Sequence, residues 1–168
     1  MTRGLYESDF YSWTQRQADM LRSGKLEKAD LANIIEEIET LGRSEESSLE
    51  SAYMLVSIHL LKAMFQPQMT TLSWGQTILH NRLEIAKILR KNPGLKAKRE
   101  PLFAAAFADA RKEAAEETGI DLGRFPDTPP FTREEAESEV YKPGRLGLSR
   151  AELNARRRRK PGGTGVAD

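Results

Sequence analysis

The side chains that could perform acid–base chemistry are two histidines, His59 and His80. His59 lies at the edge of an apolar helical stripe, where a hydrogen-bonded structural histidine is the commoner role, and His80 falls on the polar side of its helix. Asn81 interrupts the apolar stripe of that second helix and Arg82 follows it. A buried amide in such a position usually fixes helix register through a hydrogen bond. The alternative is a small enzyme or ligand-binding bundle with a polar pocket at His59, Asn81 and Arg82.

No metal or cofactor site follows from the other residue types and their spacing. The chain has no cysteine, which excludes disulfides, thiolate ligands and cysteine nucleophiles. It has no HExxH motif and no Glu-x-x-His pair, so the ligand spacing of zinc proteases and di-iron bundles is missing. A glycine-rich phosphate loop, a dinucleotide fingerprint and a serine nucleophile elbow are also missing from the sequence. We therefore expect no catalytic residue, no metal and no cofactor.

Three glutamates, Glu36, Glu37 and Glu39, stand close together on one helical stretch. At 100° per residue, Glu36 points away from the apolar stripe of that helix, while Glu37 and Glu39 flank the stripe on opposite sides. Because the three carboxylates do not converge, they predict a solvated face with weak ion pairs rather than an acid–base pair.

The C-terminal end of the chain is basic. Residues 144–168 hold seven basic and two acidic residues, a net charge of +5, whereas residues 1–143 carry −4. The run from Arg156 to Lys160, which comprises Arg156, Arg157, Arg158, Arg159 and Lys160, could neutralise phosphates without reading sequence. Weak nucleic-acid association is therefore one hypothesis, and a solubilising tail is the other, because no aromatic residues are interleaved for base stacking. The composition predicts disorder in this tail.

The chain is organised around residues 30–66, which the apolar spacing predicts to be one long helix. Gly42 could break the helix, but the spacing keeps its phase through the glycine, so we expect continuity and a neighbouring helix packed closely at Gly42. The first half is acidic with a single apolar stripe, as in an ordinary bundle helix. This stripe comprises Leu31, Ile34, Ile35, Ile38 and Leu41.

The second half of the same helix is apolar on nearly every side. A second apolar face lies opposite the main one and comprises Met54, Ile58, Leu61 and Phe65. Either the chain's own helices cover this face, or it is buried in a homodimer. We favour a non-enzymatic helical interaction or scaffold module that forms a homodimer or binds a protein partner through this face.

The remaining elements complete an all-α fold. The first helix is expected to begin near Asp9 and end at Gly24, with Phe10 and Trp13 in the core. Two further helices, a proline-punctuated strap and a short helix capped by Thr132 follow. The fold class is an antiparallel helical bundle of about four main helices with a C-terminal extended strap and short helix. Residues 1–143 form one bundle domain and residues 144–168 the tail.

Compartment is inferred from what the sequence lacks. No apolar run approaches the roughly 18–20 residues of a membrane span, and no apolar region of a signal peptide follows the N-terminus. We expect a cytoplasmic protein without a membrane span.

Several segments together resemble a known family. These segments are YESDFYSWTQRQADMLRSG at 6–24, DLANIIEEIETLGRSE at 30–45, HLLK at 59–62, SW at 73–74 and AAEETGIDLGRFPDTPPFT at 114–132. Over roughly residues 5–143 the chain is similar to the family of domain of unknown function 29, and the tail after Pro143 lies outside the pattern. The resemblance implies a small all-helical bacterial protein and implies no activity or catalytic residues.

Overall fold

The structure is a computed structural model that describes residues 4–138, and this part of the chain is helical and contains no strand. The helices are α1 (Leu5–Ser8), α2 (Phe10–Arg22), α3 (Leu31–Phe65), α4 (Leu72–Lys91), α5 (Arg99–Thr118) and α6 (Arg133–Glu137). Short 3-10 helices lie at Leu26–Lys28, Pro67–Met69, Pro93–Lys98 and Leu122–Arg124. The predicted all-α class with four main helices is confirmed. In this part of the chain no helix has the length and apolar character needed to cross a membrane. The predicted tail, residues 144–168, lies outside the described residues.

The chain divides at Glu45, inside α3, into two compact units. We refer to residues 4–45 as the N-terminal unit and to residues 46–138 as the C-terminal unit. The sequence predicts one domain of residues 1–143 and gives no sign of this division. The predicted continuity of α3 is confirmed. The predicted close approach at Gly42 is wrong, because a Cβ added there would have no described atom within 4 Å.

The ends of α2 follow from local sequence signals. The Asp9 side chain accepts a hydrogen bond from the backbone amide of Ser12 at 3.0 Å, and Gly24 has a left-handed φ of 70°. Trp13 is buried as predicted. Phe10 is 48% exposed, so its assignment to the core is wrong. It stacks on Trp13 with ring centroids 5.5 Å apart, and therefore covers the tryptophan from outside.

In the C-terminal unit, α4, α5 and the second half of α3 run in alternating directions. The ion pair between Glu46 and Lys98 joins the beginnings of the second half of α3 and of α5. The ion pair between Lys62 and Glu117 joins their ends, so these two helices are parallel. Trp74, at the beginning of α4, lies against Lys62 near the end of α3. Helix α4 therefore runs opposite to both, and helices that follow each other in this unit are antiparallel.

The segment after α5 forms the predicted strap. Gly119 ends α5 with a left-handed φ of 66°, and the chain then returns along the unit. Phe125 is buried against Phe65, with ring centroids 4.7 Å apart. Phe131 is buried against Phe107 at 6.0 Å. These aromatic contacts hold the strap on the core, and they bring α6 to the bundle.

Candidate functional site

The residues of the predicted polar pocket bond to separate partners. The His59 ring nitrogen Nδ1 lies 3.0 Å from the carbonyl oxygen of Leu55, one turn earlier in α3. Asn81 is 7% exposed and its Nδ2 donates to the Thr77 carbonyl at 2.9 Å within α4. This is the hydrogen-bonded core amide that the apolar stripe favours. Arg82 bonds to neither of the other two and is directed to α6 instead.

Arg82 caps the C-terminal end of α6. It is 5% exposed, and its Nε donates to the Ala136 carbonyl at 2.9 Å while its NH2 group donates to the Glu135 carbonyl at 2.8 Å. The last carbonyls of a helix have no partner within the helix, so a guanidinium satisfies groups that would otherwise be left unpaired. The role that this geometry gives Arg82 is to attach α6 to α4.

A second set of contacts holds α6 through Glu137. Its carboxylate accepts a hydrogen bond from the buried Tyr53 hydroxyl at 2.5 Å and an ion pair from Arg133 at 2.9 Å. Arg99 lies at 3.4 Å from the same carboxylate. Burial, with the hydrogen bond to Glu137, raises the pKa of Tyr53, so the phenol stays a neutral donor. Glu137 is thus a structural acceptor.

The end of α3 carries a second polar cluster around Trp74. The Lys62 ammonium lies 4.7 Å from the centre of the Trp74 ring and pairs with Glu117. The His59 ring meets Trp74 edge-on at 6.4 Å. Burial lowers the pKa of His59, with Lys62 as a further cause, so the imidazole is neutral at pH 7. Within residues 4–138 no group of three acidic, histidine or cysteine side chains could hold a metal ion.

The second apolar face of α3 is covered by the chain itself, which corrects its assignment as an interface. Ile58 is 2% exposed and Leu61 is fully buried. Met54 and Phe65 are half-buried and pack against the core. The physical reason is that the chain's own elements in the C-terminal unit cover the side of α3 that carries Ile58 and Leu61, whereas Leu55 on the same stretch stays 40% exposed. Of the two alternatives left by the sequence, burial by the chain's own elements is the one observed.

Most of the exposed apolar surface of α3 lies in its first half, where the sequence predicts the single stripe of an ordinary bundle helix; in the second half Leu55 is 40% exposed. The exposed fraction of four apolar side chains in the first half rises along the sequence from 43% to 68%. We call this set the N-terminal stripe; it comprises Leu31, Ile35, Ile38 and Leu41.

The N-terminal unit has almost no core of its own. Among residues 4–45 only Trp13 and Gln17 are buried. A segment of this size buries too small a share of its surface to offset its conformational entropy without further contacts. Exposed apolar side chains in such a segment therefore form a candidate contact surface.

The same unit holds a groove of about 670 Å³, which we call the N-terminal groove. Asp30 organises one wall. Its carboxylate accepts hydrogen bonds from the Trp13 indole at 3.3 Å and from the Asn33 amide at 2.7 Å, and its backbone amide donates to Gln17 Oε1 at 2.8 Å. The bond from Asn33 lowers the pKa of Asp30, so the carboxylate is charged. Other residues lining the groove are Tyr6, Glu7, Arg16 and Lys28.

Tyr6 extends this network to α3. Its hydroxyl donates to the Glu37 carboxylate at 2.6 Å, and this bond raises the pKa of Tyr6 to about 12. One feature of the sequence could have indicated the groove. Gln17 is a polar residue on the otherwise apolar face of α2 that carries Phe10 and Trp13. Its partner, Asp30, enters the sequence analysis only as the first residue of the predicted helix at 30–66.

Comparison with known proteins gives one family. The family model described as "Domain of unknown function DUF29" matches residues 5–141, which includes both units as far as the structure describes them. No curated protein and no solved structure matches the chain.

Proposed function

The chain belongs to the DUF29 family, and on that premise we propose that it is a non-enzymatic helical interaction module that forms a homodimer through the N-terminal stripe. The observation that supports this proposal is the exposure of the stripe on a unit with almost no core. Ile38 and Leu41, in the first third of α3, are 63% and 68% exposed.

The spacing of the stripe suits pairing with another helix. Its members follow each other at intervals of four, three and three residues, so they share one face of α3. From Leu31 to Leu41 the face is about 15 Å long at 1.5 Å per residue. Two copies of this face can bury each other, because an apolar helix face is complementary to itself.

The exposed apolar area of the stripe is consistent with a reversible dimer. The exposed fractions of the four side chains add to a little over two complete side chains. Burial of a complete side chain contributes about 1.5–3 kcal/mol, so the stripe contributes roughly 3–7 kcal/mol from each copy. Association costs about 4–15 kcal/mol. The two ranges overlap, so the stripe is large enough for a weak, reversible dimer and not for a permanent one.

The charge around the stripe provides a way to distinguish binding of a second copy from binding of a basic partner. Residues 25–45 carry three basic and six acidic residues, a net charge of −3. Two copies repel each other electrostatically, so salt should strengthen a homodimer by screening. A basic partner, including the chain's own residues 144–168, would be weakened by the same salt. The ionic-strength dependence therefore identifies the occupant.

Sedimentation equilibrium across micromolar concentrations tests the proposal. We expect a monomer–dimer equilibrium that Ile38→Asp weakens at least about tenfold, because the dimer would bury an unpaired charge. Leu83→Asp is the matched control, since Leu83 is an exposed apolar residue, 49% exposed, on α4 outside the stripe. A monomeric wild-type protein, or equal weakening by both substitutions, rejects the proposal.

Nucleic-acid association through Arg156, Arg157, Arg158, Arg159 and Lys160 stays a second hypothesis, carried by the net charge of +5 on residues 144–168. Retention on heparin after deletion of residues 145–168 tests it. If retention does not change, the tail does not bind polyanions. If the deletion abolishes the dimer instead, the tail is the occupant of the stripe, and pairing of the two stripes is rejected.

A further inference from the structure

We propose that the chain's own residues 139–148 bind along an exposed apolar face of α4. Three leucines form this face, which we call the α4 face: Leu72, Leu79 and Leu83 are 71%, 42% and 49% exposed. At 3.6 residues per turn, Leu79 and Leu83 lie within about 20° of Leu72 around the helix axis, so the three side chains share one side. The α4 face is separate from the N-terminal stripe, and the proposal does not depend on the homodimer.

The other side of α4 is the one that packs in the C-terminal unit. Ile78 and Ile85 lie on it and are 0% and 1% exposed. Helix α4 is therefore apolar on two sides, whereas a surface helix needs one apolar side to face the core. Single exposed apolar residues are ordinary on a protein surface, but several aligned on one side indicate a contact surface.

The described part of the chain ends at the border of the α4 face. Arg82 binds the last carbonyls of α6 at 2.8 Å and 2.9 Å, so the end of α6 lies against α4. Arg82 is three residues after Leu79, which places it about 60° from Leu79 around the helix. Ser138 follows α6 with an extended backbone, φ −63° and ψ 126°. Residues 139–148 therefore begin beside the α4 face.

This segment, which lies outside the described residues, has the length and the composition that the face requires. Ten extended residues span up to about 33 Å, and the face from Leu72 to Leu83 is about 17 Å long at 1.5 Å per residue. The family match ends at residue 141, three positions beyond the described residues, so the family pattern includes the start of the segment. Its four apolar residues are Val140, Tyr141, Leu146 and Leu148.

Charge distinguishes this segment from the basic run that follows it. Residues 139–148 hold two basic residues and one acidic residue, a net charge of +1. With histidine neutral, residues 72–83 carry one charge, that of Arg82, which is already bonded to α6. Residues 84–91 hold three basic residues and one acidic residue, and they repel the five consecutive basic residues at 156–160. The nearly neutral segment is therefore the part of the C-terminal end that fits the α4 face.

Covalent attachment makes a modest apolar contact sufficient. A segment tethered beside its binding surface has an effective concentration of millimolar order, whereas a separate partner loses its translational and rotational freedom on binding. Burial of the leucines of the α4 face then favours the bound segment. The proposal moves the start of the tail that the composition predicts to be disordered from residue 144 to residue 149.

Limited trypsin digestion of the full chain, followed by mass spectrometry, tests the proposal. Trypsin cleaves after Arg145, inside the segment, and after Arg157, outside it, so one digest measures both rates. A synthetic peptide of residues 139–160 gives the intrinsic ratio of the two rates. Relative to that ratio, we expect cleavage after Arg145 in the protein to be at least about tenfold slower, because the segment must leave α4 before it is cleaved. A ratio equal to that of the peptide overturns the proposal.

Substitutions then locate the contact. Leu83→Asp should speed cleavage after Arg145 about tenfold and leave cleavage after Arg157 unchanged, because the bound segment would bury an unpaired charge. Ile38→Asp, on the N-terminal stripe, is the matched control and should change neither rate. Tyr141→Asp, on the segment itself, should act like Leu83→Asp, and it decides the matter if far-UV circular dichroism shows that Leu83→Asp has lost helix. Protection that survives both Leu83→Asp and Tyr141→Asp overturns the proposal, and so does protection that Ile38→Asp removes.

Discussion

Replacement of Arg82 by methionine tests whether this residue is structural or part of a binding pocket. Methionine keeps the length and the apolar stem of the side chain and removes the guanidinium. Two hydrogen bonds are lost, at 2.9 Å to Ala136 and at 2.8 Å to Glu135. We expect a large loss of stability because both carbonyls belong to the last turn of α6.

The size of the effect follows from burial. Arg82 is 5% exposed, so water does not replace the lost donors. A hydrogen bond to a charged group contributes about 1.5–3 kcal/mol, and an unsatisfied buried carbonyl costs about 1–3 kcal/mol. Because part of α6 can detach and expose its carbonyls to water, we expect a net loss of about 3 kcal/mol in the free energy of unfolding. For a chain of this size that corresponds to a decrease of roughly 6–12 °C in Tm.

Urea denaturation, followed by tryptophan fluorescence and far-UV circular dichroism, measures this loss. Arg90→Met is the matched control, since Arg90 is an exposed arginine on the same helix. The control is expected to stay within about 0.5 kcal/mol of the wild type. If the free energies of unfolding of the two variants differ by less than about 1 kcal/mol, the capping role of Arg82 is refuted. The predicted role of Arg82 in a polar pocket would then be the better explanation.

Two further predictions concern the protonation of His59 and the backbone conformation of two glycines. Burial places the pKa of His59 below its usual value of 6.5 in the folded protein. Because the unfolded chain therefore binds a proton more readily, the stability that is present above pH 6.5 is lost as the pH falls from 6.5 to the lowered pKa. His59→Gln should remove this dependence in urea titrations at several pH values, and His80→Gln, at an exposed position, should keep it; a dependence that survives His59→Gln contradicts the assignment. Gly42→Ala should raise the free energy of unfolding by about 0.5–1 kcal/mol, because Gly42 lies inside a helix with open space around it. Gly119→Ala should lower the free energy of unfolding by about 1 kcal/mol, because Gly119 has a φ of 66°. If both substitutions change the free energy of unfolding in the same direction, this reasoning is contradicted.

Local signals in the sequence were sufficient for the four long helices and for α6, but they did not predict α1 at Leu5–Ser8. Asp9 and Gly24 mark the ends of the first long helix, and Thr132 with Glu135 forms the capping box of α6. Each of these signals acts between residues at most four positions apart, so no tertiary contact is needed to read it. The strap was predictable for the same reason, because Pro126 and its neighbours exclude a helix there.

The candidate site needed the fold. Arg82 bonds to carbonyls 53 and 54 positions away in the chain, and Gln17 bonds to Asp30 across the turn after α2. The sequence does not show which acceptor a side chain with several donors will bond to, so these pairs follow only from the packing of the helices. The sequence therefore indicated the polar residues and not their partners.

The apolar faces of α3 show the same limit most clearly. By itself the sequence determined one continuous helix with apolar residues along its whole length. It could not determine which part of that surface is covered, because an apolar face has the same spacing against its own chain, against another molecule or against water. The tertiary structure buries Ile58 and Leu61 and leaves Ile38 and Leu41 exposed. The reason is that α4, α5 and the strap lie along the second half of α3, where they supply the apolar contacts.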